Sequence, residues 1–444
     1  MNSVDTALIA REASGRPIHV GMIGAGATGR AIALQLGTPA PGIRLVAICN
    51  RSLENGARAF REAGVTDWAK VDSALEAKQK ITKGCPVLTS DPAVLTSCDS
   101  IDILLEVTGT VEAAARVVLD AFHHHKHVVI VNAELDSLVG PILKAKADEA
   151  GVVLTNTDGD EPGVAMTLVR YLRTLGLKVV AAGNIKGMVD YYRTPATQKA
   201  FAEKYDQDPR KVTSFADSTK LSMEATVLAN ATGFRVGRRG MHGPACGYVR
   251  EVGSLLPADD MLSTGIVDYA LGAAPHTGAF AVIHEEDPLK RAQLGYYKLG
   301  DGPFYVFYTP YHLPHLQIAS TIGRAVVHHD ATVAPWDGPV CEVVSVAKRD
   351  LKAGERLDGV GGFCTYGLID NRETARKMNA LPIGLSEGCV LRRDIQKDAV
   401  ISFDDVDQVP WGIAWNLWQE QNARWPIVRT STLSQSRELV ASVR

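Results

Sequence analysis

One short stretch near the start of the chain restricts the possible fold more than any other. An apolar run, IHVGMI (residues 18–23), is followed by glycines in the spacing G-x-G-x-x-G and then by an apolar helical pattern. In this order the first glycine permits a tight turn, the second lets a phosphate approach the backbone, and the third lets the helix pack against the strand. The sequence therefore predicts a dinucleotide-binding turn, with the phosphates at the helix N-terminus. The residues predicted to contact the cofactor here are Gly24, Gly26, Ala27, Thr28 and Gly29.

Apolar strands and helices alternate from this turn to about residue 157. Further strand patterns occupy residues 44–49, 101–107, 127–131 and 151–156, and helical patterns separate them. Buried strands that alternate with helices are typical of a parallel, doubly wound sheet. The predicted fold class is therefore α/β, with a Rossmann-type domain at residues 1–157. An α+β domain is predicted at 158–311, a helix at 312–328, and a small β-rich domain at 340–444.

Charge and cysteine content exclude several classes of protein. Lys and Arg number 47 against 50 Asp and Glu, so no charge excess favours nucleic acid or a membrane surface as a partner. Seven cysteines without a C-x-x-C pair favour reduced thiols over disulfides or a zinc site. The sequence contains no apolar run that predicts a membrane span, and no signal-peptide pattern. We therefore expect a cytoplasmic protein.

The end of the second predicted strand indicates which cofactor is used. An acidic residue there would bond the 2′-hydroxyl of the adenosine ribose and repel a 2′-phosphate. This chain has Asn50, Arg51 and Ser52 instead. Arg51 can pair with a 2′-phosphate while Asn50 and Ser52 add hydrogen bonds, which predicts NADPH rather than NADH. The alternative is that Arg51 is a solvated loop charge.

The nucleotide-binding half resembles the homoserine dehydrogenase superfamily. The matching pieces are VGMIGAGATGRAIALQL, IDILLEVTGT and KHVVIVNAEL. The helix at 312–330 lies where the chain of that superfamily returns to its nucleotide-binding domain. The resemblance implies that Thr108, Gly109 and Asn132 lie at the cofactor.

Residues 342–406, with VAKRDLKAGERL, LPIGL and LRRDIQKDAVIS, resemble a SAF-type domain. The combination of domains resembles the reductoisomerase-like family that converts 1-deoxy-D-xylulose 5-phosphate to 2-C-methyl-D-erythritol 4-phosphate, an isoprenoid precursor. That resemblance implies NADPH, a divalent cation (Mg²⁺ or Mn²⁺) and a homodimer or homotetramer. It also implies that the domain at 158–311 serves substrate binding, catalysis and oligomerisation.

Two departures argue against homoserine as the substrate. Homoserine dehydrogenases typically have Asn-Lys after the fourth strand, where this chain has Asn132, Ala133 and Glu134. They also carry an Asp and a Lys four residues apart on a helix. The nearest match here, Asp217 and Lys220, is one residue closer.

Candidate catalytic residues lie in the domain after residue 157. The segment 216–233 predicts a helix on which Asp217, Lys220 and Glu224 share a face. Lys220 would protonate a forming alkoxide, and the alternative is a surface ion pair. Lys186 follows an apolar strand, where a lysine points into a cleft. The predicted catalytic residues are Lys186, Lys220 and Glu224.

Asp160 and Glu161 are predicted to bind a metal ion. They follow a strand of the parallel sheet, and open α/β sheets bind ligands beyond the carboxyl ends of their strands. Their oxygens suit Mg²⁺ or Mn²⁺. The alternative is a helix N-terminus with Asp160 as its cap.

A phosphorylated sugar also needs cations and polar groups, which the loops of the middle domain supply. The predicted substrate contacts are Tyr192, Arg193, Lys204, Arg239, His276 and His312. The histidines between 123 and 127 are interpreted as structural, because consecutive helix residues point in different directions.

Three functions fit this pattern. The first is the reductoisomerase reaction. The second is another NADP-dependent dehydrogenase or oxidoisomerase that acts on a different sugar phosphate or a sugar acid. The third is a non-catalytic dinucleotide sensor, which the lysines and carboxylates of the middle domain argue against. The same residues serve the first two functions, so the sequence leaves both open.

Overall fold

The computed structural model describes residues 3–38, 40–407, 409 and 411–427. The strands are β1 Ile18–Ile23, β2 Ile43–Cys49, β3 Ala69–Lys70, β4 Val87–Thr89, β5 Ile103–Glu106, β6 His127–Ile130, β7 Leu154–Asn156, β8 Lys178–Lys186, β9 Ile266–Leu271, β10 Ala279–His284, β11 Phe304–Thr309, β12 Cys341–Ala347 and β13 Thr365–Asn371. The helices are α1 Ser3–Ala13, α2 Ala27–Gly37, α3 Leu53–Glu62, α4 Ala74–Thr82, α5 Pro92–Thr96, α6 Glu112–His123, α7 Ala133–Glu149, α8 Glu161–Thr174, α9 Pro195–Lys204, α10 Pro209–Ala216, α11 Thr219–Thr232, α12 Val252–Leu255, α13 Ala258–Ser263, α14 Pro288–Tyr296, α15 Ile318–His328, α16 Arg372–Lys377 and α17 Ile413–Arg424. In the part of the chain that the structure describes, no helix has the length and apolarity needed to span a bilayer.

Seven parallel strands form the nucleotide-binding sheet, in the order β3-β4-β2-β1-β5-β6-β7. The predicted Rossmann-type α/β fold is confirmed. The chain builds outward from β1 in one direction through β2, and then restarts on the other side at β5. Ligands bind at such a reversal of strand order, beyond the carboxyl ends of the strands. The glycine turn after β1 lies at this point.

The returning helix α15 is shorter than the sequence predicts. It begins at Ile318 rather than at residue 312, because residues 314–317 form turns. Its position against the nucleotide-binding domain is held by polar contacts. Thr321 accepts a hydrogen bond from the backbone of Asp158, and Arg324 pairs with the Asp158 carboxylate at 3.0 Å.

The middle domain is built on a mixed sheet in the order β11-β10-β8-β9. One face of this sheet packs on α8 and α11, and the segment 249–261 covers part of the other. This arrangement places the end of β8 and the start of α11 beside the nucleotide-binding domain. The predicted homo-oligomer stays a prediction.

The C-terminal segment forms short strands and turns around the antiparallel pair β12-β13, joined by isolated bridges. It shares one apolar core with the nucleotide-binding domain, in which Leu417 and Trp418 of α17 join Val139 and Leu143 of α7. Residues 428–444 of the predicted C-terminal domain lie outside the described residues.

Candidate active site

The glycine turn has the geometry of a dinucleotide site. Gly24 has a φ of +107°, and a Cβ there would lie 2.8 Å from the carbonyl of Val107. A Cβ on Gly29 would overlap the carbonyl oxygen of Gly24. At Gly26, which is exposed, a Cβ would meet no atom within 4 Å. The fold therefore requires the first and third glycines, whereas the second leaves open space for a pyrophosphate at the start of α2.

The three residues after β2 divide between structure and ligand binding. Asn50 accepts a hydrogen bond from Ala25 N–H at 2.9 Å and donates to the Ser52 carbonyl at 2.8 Å. The Ser52 hydroxyl caps α3 by accepting from Asn55 N–H. Both side chains thus also hold the turn, and their predicted bonds to a phosphate stay a prediction. Arg51 is exposed beside them and is the side chain presented to a ligand.

A buried carboxylate shapes the loop where the nicotinamide end of a cofactor would lie. Glu106, at the end of β5, accepts from Thr108 N–H at 2.9 Å, from the Thr108 hydroxyl and from Asn132 Nδ2 at 2.8 Å. Asn132 also donates to the Thr110 carbonyl and caps α7 by accepting from Leu135 N–H. Burial raises the pKa of Glu106.

Asn132 is fully buried, so it holds this loop instead of facing a ligand as the sequence predicts. Thr108 and Gly109 lie on this loop, and their contact with the cofactor stays a prediction. Glu106 was missed by sequence reasoning. Its signal was an acidic residue at the end of an otherwise apolar strand, IDILLEV.

Side chains from four elements, β8, α7, α8 and α11, meet at the carboxyl ends of the parallel strands of the nucleotide-binding sheet. Lys186 ends β8, with Asn184 on the same face of that strand. Lys220 and Glu224 lie one turn apart on α11. Glu134, in the first turn of α7, and Asp160 and Glu161, at the start of α8, complete the group. We call Glu134, Asp160, Glu161, Lys186, Lys220 and Glu224 the catalytic cluster.

The two lysines of the cluster contact different carboxylates. Lys186 Nζ lies 2.8 Å from Glu161 Oε1 and 3.7 Å from Glu224 Oε2. Lys220 Nζ lies 3.4 Å from Glu134 Oε2. Both lysine side chains are at least four-fifths buried, so the alternative of a surface ion pair for Lys220 is wrong.

Asp217 does not share the Lys220 face, contrary to the sequence interpretation. Ser218 has a left-handed φ of 77°, which ends α10 at Ala216 and starts α11 at Thr219. Asp217 is therefore turned away and pairs with the buried Lys348 at 2.8 Å.

Asp160 occupies the N-cap position of α8, as the alternative interpretation expects, but its side chain makes no capping bond. Its carboxylate instead joins Glu161 and Glu224, whose ligand oxygens all lie within 4.8 Å of one another. With Glu134, four carboxylates face two ammonium groups. Two protons or one divalent cation would balance this excess of negative charge, and oxygen ligands suit Mg²⁺ or Mn²⁺.

The surroundings shift the pKa values of the carboxyl groups in the cluster in opposite directions. Burial raises the pKa of Asp160 to about 6, with Glu161 adding to the shift, and burial raises that of Glu224 well above its usual range. Burial alone would raise the pKa of Glu161 too, but Lys186 and His312 outweigh it and lower the pKa. Carboxyl groups whose pKa values are pushed apart in this way can take different acid–base roles.

The lysines show the opposite balance. Burial alone would lower the pKa of Lys186 and of Lys220, but the neighbouring carboxylates, led by Glu161 and Glu134 respectively, outweigh burial and raise both. Both side chains are therefore permanent positive charges at neutral pH.

The structure brings one of the predicted substrate contacts directly to the cluster. His312 Nε2 lies 3.6 Å from Glu161 Oε2, and His312 Nδ1 bonds the hydroxyl of Thr277 at 2.9 Å. His276, in the loop after β9, lies beside Gly187, next to Lys186.

The other four predicted substrate contacts are engaged elsewhere. The Tyr192 hydroxyl donates to Asp398, and Arg193 pairs with Asp190 at 3.0 Å. Arg239 pairs with Asp370 at 2.7 Å, on β13. Lys204 ends α9 and lies over the ring of the adjacent Tyr205. The structure does not bring these four residues together, and a phosphate site formed by them stays a prediction.

Comparison with known proteins identifies both halves of this site. Residues 24–154 match the family model "Homoserine dehydrogenase, NAD binding domain", and residues 159–318 match "Oxidoreductase DRL, catalytic domain". Residues 24–154 are thus similar to the nucleotide-binding domain of a dehydrogenase, and residues 159–318 to the catalytic domain of an oxidoreductase. The catalytic cluster spans the junction of the two matched regions.

Single relatives are more distant. Homoserine dehydrogenase of Methylobacillus glycogenes is 29% identical over 139 residues, which is 30% of each protein. The match therefore spans less than a third of that relative.

Similar solved structures include a homoserine dehydrogenase from Thiobacillus denitrificans (TM-score 0.42, 16% identity, 76% of this chain and 83% of that one). A probable dehydrogenase from Thermotoga maritima gives a TM-score of 0.40 at 13% identity, over 72% of this chain and 91% of that one. The fold assignment rests on the strand order described above.

Proposed function

We propose that this protein is an oxidoreductase that uses NADPH to reduce the carbonyl group of a small phosphorylated sugar. The observation that carries the proposal is the catalytic cluster, in which two ammonium groups lie among four carboxylates and one of these, Glu134, lines a cavity that Gly109 also lines. Arg51, exposed after β2, supports NADPH over NADH because it can pair with a 2′-phosphate.

The residues of the cluster would act on the carbonyl oxygen and on its neighbouring hydroxyl groups. When bound, the nicotinamide supplies a hydride to the carbonyl carbon. Lys220 stabilises the negative charge that develops on the oxygen, because a fixed cation in a partly buried site interacts strongly with such charge. Glu161 and His312 orient substrate hydroxyls by hydrogen bonds.

The proton for the alkoxide comes from a carboxyl group in this proposal, not from Lys220. A lysine whose pKa is raised is a poor acid at neutral pH, whereas a carboxyl group whose pKa is raised towards neutrality is a good one. The pKa values of Asp160 and Glu224 are both raised, so whichever of the two does not bind the divalent cation can supply the proton. This changes the role that the sequence suggested for Lys220.

The first substrate to test is 1-deoxy-D-xylulose 5-phosphate, with 2-C-methyl-D-erythritol 4-phosphate as product. The resemblance of the whole domain order, including the SAF-type segment, supports it. That reaction breaks and remakes a carbon–carbon bond before an aldehyde takes up a hydride and a proton. It needs groups that hold a carbonyl and vicinal hydroxyls together, and the catalytic cluster offers such groups.

A second candidate is a simple dehydrogenase that acts on another sugar phosphate or on a sugar acid. The match of residues 24–154 to a homoserine dehydrogenase domain supports it, because that class of enzyme transfers a hydride without rearranging carbon. Such a reaction needs Lys220 and one proton donor and leaves the remaining carboxylates for substrate hydroxyls.

The experiment is an NADPH-oxidation screen with small sugar phosphates and sugar acids, with Mg²⁺, with Mn²⁺ and after chelation. The proposal expects turnover with 1-deoxy-D-xylulose 5-phosphate, loss of turnover on chelation, and no activity with homoserine or aspartate semialdehyde. If that substrate is inert while another sugar phosphate or sugar acid turns over, the second candidate replaces the first. Inertness towards every phosphorylated sugar would contradict the proposed substrate class.

A further inference from the structure

A cavity of about 520 Å³ lies where three parts of the chain meet. The loop at 109–112 after β5 forms one wall, residues 208–214 at α10 form the second, and the C-terminal domain forms the third. Cavities of this size hold small-molecule ligands. We call this space the interdomain cavity.

The interdomain cavity adjoins the catalytic cluster at Glu134. Glu134 lines the cavity and also lies 3.4 Å from Lys220 Nζ. Gly109 lines the cavity as well, and it lies on the loop after β5 where the nicotinamide end of a cofactor would lie. A molecule in the cavity would therefore lie against Gly109 and against Glu134, the carboxylate that pairs with Lys220.

Several charged groups around the cavity already serve the fold. Glu112 caps α17 by accepting from the backbone of Ile413 at 2.7 Å and of Ala414 at 3.0 Å. Asp208 caps α10. Arg210 donates to the carbonyls of Asp358 and Val360 in the C-terminal domain.

Lys211 differs from these groups. Its side chain is exposed at the cavity, and its contact with the Thr108 carbonyl is long, at 3.5 Å. Nζ lies so close to Gly109 that a Cβ there would be 2.8 Å from it. The ammonium group therefore lies beside the loop at Thr108 and Gly109, and it still has N–H groups that can donate to a ligand.

The C-terminal domain contributes aromatic surface to the same cavity. Trp411 and Trp415 line it, and Trp411 is 73% exposed. A large indole surface open to a cavity binds apolar or carbon–hydrogen faces of a ligand, while the cation binds its anionic end.

We propose that the interdomain cavity is the substrate site, that Lys211 binds the substrate phosphate, and that Trp411 and Trp415 form a wall supplied by the C-terminal domain. This inference rests on the proposed function and deepens it. The C-terminal domain would then complete the active site.

Intrinsic tryptophan fluorescence of the full chain tests the proposal without turnover. Wild-type protein is titrated with inorganic phosphate and, separately, with 1-deoxy-D-xylulose 5-phosphate. We expect both probes to change the emission and Trp411→Phe to remove most of that change. Lys211→Gln should weaken the binding of both probes about tenfold or more, because a charge-assisted contact is lost. Lys199→Gln, at an exposed lysine of α9 outside the cavity, should bind like wild type.

The arms of this experiment separate the sources of failure. The NADPH dissociation constant should be the same for wild type and Lys211→Gln. If Lys211→Gln instead weakens NADPH and leaves phosphate binding unchanged, Lys211 serves the cofactor and the proposal is overturned. The proposal is also overturned if wild type binds neither probe with a Trp411-dependent signal. If inorganic phosphate binds through Lys211 but the deoxyxylulose phosphate is not turned over, the cavity assignment holds and the proposed substrate fails.

Discussion

The neighbours of Lys186 and Lys220 decide how each lysine can act. Each ammonium group is largely buried and lies beside a carboxylate, so its pKa is raised. Neither lysine releases a proton readily at neutral pH. Their chemistry is therefore that of fixed positive charges that stabilise an alkoxide or hold substrate oxygens.

Lys220→Met removes this charge and keeps most of the apolar stem. We expect kcat to fall by about 10²–10⁴, the range for loss of a group that acts on the transition state, with little change in NADPH binding. Steady-state kinetics and a cofactor titration measure the two effects. Lys199→Met, at an exposed lysine, is the control, and a Lys220 variant within a few-fold of wild type would exclude a catalytic role.

Arg51→Asp exchanges a cation for a group that repels a 2′-phosphate. We expect kcat/KM for NADPH to fall at least about tenfold, and the preference to move towards NADH, because a charge-assisted contact is worth roughly 1.5–3 kcal/mol. Arg51→Lys keeps the charge and should retain a preference for NADPH. If Arg51→Asp leaves kcat/KM unchanged both for NADPH and for NADH, Arg51 does not contact the cofactor.

Sequence patterns placed the proposed catalytic residues together more successfully than they identified the neighbours of those residues. Lys186, Lys220 and Glu224 do meet, because each follows a strand end or shares a helix face. Glu134 and Lys211 were not predicted as site residues, because their proximity depends on how three domains pack. No local pattern reports such packing.

At the level of structural elements, the turn between β1 and α2 contains one glycine that the fold needs and another that cofactor binding needs. Separate substitutions of the two distinguish these roles. Gly29→Ala would overlap the Gly24 carbonyl oxygen and should destabilise the protein by about 1–3 kcal/mol, the usual cost of overpacking. Gly26→Ala meets open space at an ordinary backbone φ of −72°, so it should fold normally and weaken NADPH binding at least about tenfold. Thermal melts and cofactor titrations of the pair test this, and weakened folding of Gly26→Ala alone would contradict it.

The start of α7 contains a buried acid that gives a pH-dependent stability. Burial raises the pKa of Asp136 from 3.8 to about 6, with one bond from Asn156 opposing the change. The folded protein therefore binds this proton more tightly than the unfolded chain. The resulting cost to stability is absent below about pH 4, grows as pH rises, and is complete above about pH 6.

Asp136→Asn should remove that cost. At pH 8 we expect the free energy of unfolding to rise by about 2–3 kcal/mol, because each tenfold difference in proton affinity between the folded and unfolded chain is worth about 1.4 kcal/mol. At pH 4 the variant and wild type should be equal. Urea titrations at the two pH values measure the difference, and a gain of the same size at both would assign the effect to something other than titration.

Helix positions show what periodicity can and cannot predict. The five strands predicted in the nucleotide-binding domain lie within a few residues of their predicted positions, because buried apolar runs are read directly from the sequence, whereas the short strands β3 and β4 were not predicted. The face shared by Asp217 and Lys220 was wrong because Ser218 adopts a left-handed conformation that breaks the helix between them. A serine carries no strong signal for that conformation.

In the whole molecule, the C-terminal domain holds α11, the helix that carries Lys220 and Glu224, in place. The backbone of Gly367 on β13 donates to the Thr219 hydroxyl and accepts from Ser222, both on α11. α17 also packs on α6 and α7 of the nucleotide-binding domain. One domain thus contacts both halves of the site and couples their positions.

The buried pair of Lys348 and Asp217 is the polar centre of that contact. Lys348 Nζ donates to Asp217 at 2.8 Å and to the carbonyls of Arg193 and Gly362 at 2.7 and 2.8 Å. Both side chains are almost completely buried. A buried ammonium with three acceptors is well satisfied, whereas removal of the ammonium leaves a buried carboxylate without compensation.

Lys348→Met should therefore destabilise the protein by about 3–5 kcal/mol and lower kcat, because the chain loses its anchor at Asp217, just before α11 begins and within one helical turn of Lys220. Pairing it with Asp217→Asn removes the uncompensated charge and should recover part of the stability, which a double-mutant cycle measures in guanidinium titrations. Lys352→Met, at an exposed lysine of the same domain that pairs with Asp394, should change stability by less than about 1 kcal/mol. If Lys348→Met is no more destabilising than Lys352→Met, the Lys348–Asp217 pair does not couple the domains, and α11 is held by its other contacts, which include the hydrogen bonds with Gly367 and apolar packing.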